Sequence, residues 1–181
     1  MQVMAYAAPS IIRAWHINKA YFGTVFGFSL FGYMLGATSL SNLGDRIGRK
    51  KIIIGGALLF GAFSLATAFA TSLTALFALR FIAGIGLGAC IPNVIALTVE
   101  YAPSRTRAMM ISVMFTGYTI GGTLGGVIAA KLIPTFGWPV VFYIGGIAPI
   151  VLAAILIFTL PESVSFLALR QERDQIGLRQ F

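Results

Sequence analysis

The sequence predicts an all-α membrane protein, a bundle of six spans of which the first is truncated. Of the 181 residues, 58% are apolar and only 10% are charged. A soluble domain of this size cannot hide so much apolar surface, so lipid is its natural solvent. In addition, five apolar runs are each long enough to cross the hydrocarbon core as a helix, and basic residues gather in the short junctions between them.

The first segment, residues 1–16, is apolar but is closed by Arg13 and His16. As a helix it would cover about 24 Å, less than the ~30 Å hydrocarbon core, so we interpret it as the outer part of a span whose inner part is missing. The other spans complete a transmembrane bundle over residues 1–160. They are predicted at 20–43, 52–71, 74–99, 108–132 and 140–160.

Residues 161–181 follow the last span. Within them, residues 161–174 are predicted to form a short amphipathic helix at the membrane surface. Glu162 suits the positive N-terminal end of that helix. A solvated tail is the alternative interpretation.

Lysine and arginine predict the orientation, because basic junctions stay in the cytoplasm. One set of junctions, with the C-terminal segment, is richer in these residues and is therefore predicted to be cytoplasmic, which also places the end of the chain inside the cell. Trp15 and Trp138 fall at the outer boundary, where tryptophan anchors membrane helices. The cytoplasmic set is Arg46, Arg49, Lys50, Lys51, Arg105, Arg107, Arg170, Arg173 and Arg179; the outer set is Arg13, Lys19 and Lys131.

The net charge of +8 is explained by these junctions and indicates no nucleic-acid partner. The single cysteine, Cys90, and the single histidine, His16, predict neither a disulfide framework nor a metal site.

Glycines at four-residue spacing predict faces where helices pack closely. Lipid gives helices no hydrophobic reason to associate, so close backbone approach and van der Waals contact must hold them together. The dense run in the 108–132 span also suggests a helix that slides or bends during function. The predicted packing glycines are Gly84 and Gly88 in the 74–99 span and Gly117, Gly121 and Gly125 in the 108–132 span; Gly23, Gly27, Gly32 and Gly36 show related spacing in the 20–43 span.

Arg80 lies several residues inside the 74–99 span, where a charge costs roughly 2.5–3.5 kcal/mol. It either snorkels to the outer headgroups or serves as a cationic anchor for an anionic substrate or a carboxylate partner. All five acidic residues lie at or beyond the cytoplasmic ends of the spans, and Glu100 is about 30 Å away along the helix. Arg80 is therefore expected to meet a ligand anion or a carboxylate from the missing part of the first span.

Two further groups of polar residues are candidates for function. Pro92 is expected to kink its helix, and Asn93 then offers hydrogen-bonding groups at membrane depth, either to a cavity or to another helix. Glu100, Arg105 and Arg107 are expected to form a cytoplasmic charge cluster with the loop that contains Asp45. Independent solvated charges are the alternative.

Three motifs resemble those of the major facilitator superfamily. They occur in the family's order along the chain and on the expected sides of the membrane. One departure is Ser41, four residues before Asp45, where the family usually carries glycine; this is a mild change at a close-packed position. Residues 2–9 and 91–101 also look like those of the aromatic acid/proton symporters within the superfamily. The motifs are Asp45-Arg46-x-Gly48-Arg49-Lys50, Arg80-x-x-x-Gly84-x-Gly86-x-Gly88 and Pro161-Glu162-Ser163.

The resemblance implies a twelve-span fold of two six-span halves, each built from inverted three-span repeats, with the substrate site between the halves. This chain would be the N-terminal half, with residues 161–181 opening the central cytoplasmic loop. The missing start of the first span is where the subfamily carries an Asp-containing motif. The resemblance assigns transport roles to Arg80 and Glu100, to which Asn93 is added as a candidate for substrate or proton coupling. The implied gating loop, which latches the cytoplasmic side against the second half, consists of Asp45, Arg46, Gly48, Arg49 and Lys50.

The functional hypothesis is an N-terminal half of a proton-coupled symporter for benzoate-type or hydroxybenzoate-type acids in a bacterial inner membrane. Its expected partners are a small organic anion, a proton, lipid and the C-terminal half, with no cofactor, and the chain is expected to be inactive alone. A transporter of sugars or other organic acids, and a non-transporting six-span assembly partner, are the alternatives. An enzyme is disfavoured because lone His16, lone Cys90 and the lack of intramembrane acids leave no convergent catalytic groups.

Overall fold

The computed structural model describes residues 2–168, and that part of the chain is a bundle of helices joined by short turns. Five helical stretches are long and apolar enough to cross a membrane, so the all-α membrane fold predicted from the sequence is confirmed. The elements are α1 (Gln2–Trp15), α2 (Ala20–Leu35), a π-helical turn (Gly36–Leu40), α3 (Ser41–Ile47), α4 (Arg49–Thr67), α5 (Leu73–Tyr101), α6 (Arg107–Phe136) and α7 (Pro139–Thr159).

The helices α2 and α3 form one continuous rod with the π-helical turn between them. A π-helical turn holds an extra residue in the helix and shifts the register of the side chains that follow it. The rod ends at Gly48, whose φ of 106° is a conformation that residues with a side chain rarely adopt. The chain can therefore reverse within one residue, and α4 begins at Arg49.

Helix α4 begins three residues before the predicted 52–71 span and ends four residues before its end. The basic residues Arg49 and Lys50 join the helix because their long unbranched side chains are good helix formers and can lie along apolar surface. Helix α6 runs on to Phe136, beyond the predicted end at 132, and α5 continues through Pro92.

The crossing of α2 and α5 is close enough to require glycine on both helices. A Cβ atom at Gly84 or at Gly88 would overlap backbone atoms of Ser29 or Tyr33, and one at Gly32 would overlap Phe81. Small residues at such positions let two backbones approach where lipid supplies no hydrophobic drive. Glycines also meet at two further crossings. Gly56 of α4 packs against Gly86 of α5, and Gly61 of α4 packs against Gly146 of α7.

Helix α6 differs, and the prediction of packing at its glycine run does not hold within the described chain. A Cβ atom at Gly117, Gly121 or Gly125 would meet no atom within 4 Å, and Ala129 is the buried residue of this helix. The reason is geometric: α6 touches α1 through its C-terminal half, where Gly126 faces the ring of Tyr6, and its glycine run faces away from the other helices.

The segment after α7 is helical at residues 164–168. Residues 161–163, the start of the predicted 161–174 amphipathic helix, are not helical, because the helix begins after its cap at Ser163. Residues 169–174 of that prediction, and the basic residues at 170, 173 and 179, lie outside the described residues.

Candidate functional site

The helix junctions fall at two ends of the bundle. The Arg49 end contains the α3–α4 and α5–α6 junctions and residues 160–168, which are joined by contacts of Arg49 with Glu100 and of Tyr101 with Glu162. The Trp138 end contains the α1–α2, α4–α5 and α6–α7 junctions, where the rings of Trp15 and Trp138 meet edge to face at 5.8 Å. The polar side chains that can carry function are divided between these ends.

Arg80 is buried toward the Trp138 end, with 4% of its surface exposed. Its Nη2 and Nε donate hydrogen bonds of 2.7 and 3.3 Å to Thr67 Oγ1 on α4. The Thr67 hydroxyl itself donates to the Phe63 carbonyl at 2.7 Å, which directs its lone pairs toward the guanidinium. The side chain therefore lies inside the bundle rather than snorkelling to the membrane surface, the alternative that the sequence left open.

An aromatic ring closes the other side of the guanidinium. Arg80 Cζ lies 5.0 Å from the centroid of Phe142, a residue with no exposed surface. A cation over an aromatic face gains electrostatic attraction, and more when water is excluded. Both described ion pairs involve Arg49, so no carboxylate among residues 2–168 neutralises Arg80. Within the described residues, the buried charge is therefore balanced by one hydroxyl and one ring, and by no opposite charge.

The cavity beside Arg80 is too small for a substrate in this conformation. Its volume is about 10 Å³, and its walls include Met4, Phe26 and Gly84. A void of that size is at the lower limit for one water molecule. The walls would have to separate before a small organic molecule could reach the guanidinium.

At the Arg49 end, one arginine joins two carboxylates from different helices. Arg49 Nη2 lies 2.9 Å from Asp45 Oδ1, and Arg49 Nη1 lies 2.7 Å from Glu100 Oε1. The planar guanidinium presents several N–H groups in fixed directions, so it can serve both partners at once. This arrangement ties the α3–α4 junction to the end of α5, and brings Glu100 to the Asp45 loop as the sequence predicted.

The two arginines expected in the same cluster do not join it in the described structure. Arg107 Nε instead donates to the carbonyl of Ala102 at 3.2 Å, which closes the α5–α6 turn. Arg105 and Arg46 are exposed and form no ion pair with a described residue.

Lys50 and Glu162 connect the start of α4 with the end of α7 through two hydrogen bonds. We call this pair of contacts the Lys50–Glu162 clasp. The backbone N–H of Lys50, in the first turn of α4, donates to Glu162 Oε1 at 3.1 Å. The Nζ of Lys50 donates to the carbonyl of Ile157, in the last turn of α7, at 2.8 Å. Each charge thus lies at the helix end of opposite partial charge.

Glu162 lies at the N-terminal end of the helix that follows, as expected, but it also serves a second helix. Its carboxylate accepts from the N–H of Ser163 at 3.0 Å but is shared with α4, and the side chain that caps the 164–168 helix is Ser163, whose Oγ accepts from Phe166 N at 3.3 Å. Ser163 Oγ also donates to Glu100 Oε2 at 2.7 Å. Tyr101 completes the network by donating to the Glu162 carbonyl at 2.7 Å.

The three residues predicted to couple substrate and proton are not brought together. Arg80, Asn93 and Glu100 lie along one helix, so about 20 Å separates the first two and about 30 Å the first and third. Asn93 is 2% exposed, donates to the Ala89 carbonyl at 2.8 Å in its own helix, and presents its side-chain oxygen to Gly44. It therefore fills the α3–α5 contact, and it lines neither the cavity beside Arg80 nor the one at the Trp138 end.

Sequence reasoning missed the partners of these groups. Thr67 and Phe142 were ordinary span residues, and Ser163 was noticed only as part of a motif. No local signal identifies them, because each acts through a contact with a distant segment. A buried arginine does indicate that some acceptor must lie nearby.

Fold and site together define a polytopic α-helical membrane protein with a buried cation inside the bundle, an arrangement typical of proteins that move ions or solutes. Residues 1–178 match the Major Facilitator Superfamily, and the chain belongs to that family.

The chain is similar to curated aromatic acid transporters. It is 43% identical to the 4-hydroxybenzoate transporter PcaK of Pseudomonas aeruginosa over 172 residues, covering 95% of this chain and 38% of that protein. It is 43% identical to the gallate transporter of Pseudomonas putida over 169 residues, covering 93% of this chain and 38% of that protein. The chain thus spans a little over a third of the length of these relatives.

Among solved structures, the chain resembles the xylose transporter XylE from E. coli in an inward-open conformation. The TM-score is 0.77 at 22% identity, and the match covers 94% of this chain and 46% of that one. At that identity the likeness shows the shared fold, and the coverage agrees with one half of a two-half transporter. The prediction that the chain corresponds to half of a major facilitator fold is confirmed.

Proposed function

We propose that this chain forms the N-terminal half of a proton-coupled symporter for aromatic carboxylates that works by alternating access. The observation that carries the proposal is Arg80: a buried cation in the bundle, without a carboxylate among the described residues, suits an anionic substrate or a protonatable acid. The names of the similar proteins, transporters of 4-hydroxybenzoate and gallate, supply the substrate class. The role is transport and not catalysis.

In the proposed mechanism, Arg80 attracts the substrate carboxylate or pairs with a protonatable acid of the complete transporter. Protonation of that acid releases the pair, and the two halves then rock about the central site. The small cavity at Arg80 fits a closed state, in which the ring of Phe142 and the walls around the guanidinium exclude solvent.

The protein is proposed to lie in a bacterial inner membrane with the Arg49 end in the cytoplasm. Support comes from the distribution of basic residues, since Arg13, Lys19 and Lys131 are at the Trp138 end and the greater number are at the other. The Arg49 cluster and the Lys50–Glu162 clasp then act as the cytoplasmic gating region. The open glycine face of α6 is proposed to receive the C-terminal half, because a face of small residues lets the backbone of another helix approach closely.

The test uses this chain expressed with the C-terminal six-span half of the Pseudomonas aeruginosa 4-hydroxybenzoate transporter, in cells that lack uptake of the acid. Radiolabelled 4-hydroxybenzoate uptake is expected with both halves, not with this chain alone, and a protonophore should abolish it. Arg80→Gln should reduce uptake at least about a hundredfold, the scale expected when an interaction worth ~3 kcal/mol is lost.

The matched control is Arg105→Gln, which removes an exposed arginine and should retain uptake. Normal uptake by Arg80→Gln would refute the anchor role. Uptake by this chain alone would refute its role as a half, and uptake that resists the protonophore would refute proton coupling.

A further inference from the structure

A large cavity opens at the Trp138 end, between α1 and α6, away from the small cavity at Arg80. Its volume is about 740 Å³, within the range of small-molecule sites. Its walls include Tyr6 and Arg13 of α1, Gly126 and Pro134 of α6, and Trp138 at the start of α7. We propose that this cavity is a binding site for a monocyclic aromatic carboxylate, with Arg13 as the carboxylate anchor and Tyr6 and Trp138 as the walls for the ring.

The charge of the cavity selects an anion. Arg13 is the charged residue of its lining, and it forms no ion pair with a described carboxylate. The described acids, Asp45, Glu100 and Glu162, all lie at the opposite end of the bundle. A concave site lined by one sign of charge and by apolar walls focuses its field and concentrates ions of opposite sign. An arginine can bind a carboxylate through two parallel hydrogen bonds.

The aromatic walls are held in place before any ligand binds. Tyr6 donates from its hydroxyl to the carbonyl of Gly122 at 3.0 Å, and its ring lies against Gly126, which leaves room for it. Trp138 is fixed by edge-to-face contacts of 5.8 Å with Trp15 on one side and with Phe142 on the other. Pre-ordered aromatic walls reduce the entropy lost on binding and favour a flat ring over an aliphatic chain.

Aromatic contacts connect the wall of the cavity with Arg80. Trp138 contacts Phe142, and Phe142 lies under the Arg80 guanidinium at 5.0 Å. A ligand against Trp138 would therefore touch the same ring cluster that covers the buried cation. In this proposal the substrate binds at the cavity before it reaches Arg80. That order rests on the proposed aromatic substrate class, whereas binding at the cavity can be measured without transport.

The chain contains only two tryptophans. Trp138 lines the cavity and Trp15 contacts the ring of Trp138, so intrinsic fluorescence reports on the cavity. The purified chain in nonionic detergent is titrated with benzoate, with excitation at the red edge of indole absorption where benzoate does not absorb. We expect saturable quenching by benzoate and weaker binding of benzamide, which keeps the ring and lacks the charge, and of acetate, which keeps the charge and lacks the ring. Trp15→Phe should retain the signal, since Trp138 lines the cavity.

The decisive variant is Arg13→Gln, which should weaken benzoate binding about tenfold or more, the scale of a charge-assisted hydrogen bond. Its matched control is Lys19→Gln, an exposed cation of the same end that does not line the cavity and should change affinity by less than about twofold. Circular dichroism and gel filtration show whether each variant keeps the fold of the parent chain.

Unchanged fluorescence on benzoate addition, or equal losses in Arg13→Gln and Lys19→Gln, would overturn the site. Equal affinity for benzamide would overturn the anchor role of Arg13. Saturable binding in the absence of aromatic acid uptake by the paired halves would overturn the proposed transport function and leave the site standing. Uptake by the paired halves without benzoate binding at Trp138 would overturn the site and leave the proposed transport function standing.

Discussion

The carboxylate of Glu162 accepts a hydrogen bond from the backbone N–H of Lys50 at 3.1 Å, across 112 residues of sequence. A side chain that follows the last span thereby satisfies an N–H group in the first turn of α4, a position that has no partner within its own helix. The Lys50 side chain also donates a hydrogen bond of 2.8 Å to the carbonyl of Ile157, in the last turn of α7. The Arg49 end is closed by helix ends that cap one another.

The first prediction concerns this cap. Glu162→Ala removes the acceptor from the Lys50 N–H and should lower the free energy of unfolding by about 1 kcal/mol, the usual effect of losing an N-terminal cap. The measurement is thermal unfolding in nonionic detergent, followed by helical circular dichroism. Ser165→Ala, an exposed change in the 164–168 helix, is the control. Equal melting temperatures for the two variants would contradict the cap.

The second prediction concerns Gly48, which has a φ of 106° and faces Glu162. A Cβ atom there would lie 2.6 Å from Glu162 Oε2, so Gly48→Ala combines backbone strain of roughly 1–2 kcal/mol with a collision. When Gly48→Ala is made in a chain that already carries Glu162→Ala, the collision is absent and the backbone strain remains. Gly48→Ala should therefore lower the free energy of unfolding less in that chain than in the parent, but still lower it. Gly23→Ala, where a Cβ meets open space, should be neutral or stabilising. An identical loss in both backgrounds would rule out the contact.

The third prediction ranks the two carboxylates that share Arg49. The Glu100 side chain is 14% exposed and the Asp45 side chain is 62% exposed. Asp45→Asn should cost about 0–1 kcal/mol, and that cost should vanish at high salt because water and ions screen an exposed pair. Glu100→Gln should cost roughly 1.5–3 kcal/mol, since it weakens bonds to both Arg49 and Ser163 in a half-buried setting. Thermal unfolding at two salt concentrations measures both, and the opposite ranking would refute the assignment.

The fourth prediction separates the two glycine faces. Gly88→Ala places a methyl group on the backbone of Tyr33 and should cost about 1–3 kcal/mol. Gly117→Ala, with open space around it, should leave the isolated chain unchanged or stabilise it by up to about 1 kcal/mol. If α6 receives the C-terminal half, the same Gly117→Ala change should reduce assembly of the two halves in a pull-down. Destabilisation of the isolated chain by Gly117→Ala would show that α6 packs differently.

The sequence was sufficient to predict the helical class, the approximate spans and the position of the charged loop. These properties are local: apolar runs of about 20 residues and basic junctions depend on neighbours along the chain. It was also sufficient to predict that Arg80 must have a polar or charged partner, because a charge within an apolar run is evident from the sequence.

Contacts between distant segments were decided by the tertiary structure. Glycine spacing was equally regular on α5 and α6, yet Gly88 packs against α2 and Gly117 faces open space. The spacing shows that a helix has a small-residue face, and only the rotation and tilt of the helix decide whether another helix covers it. The roles of Thr67, Phe142 and Glu162 follow from the same rule, since hydrogen bonds and ring contacts act over a few ångströms and no local sequence pattern records which segments come that close.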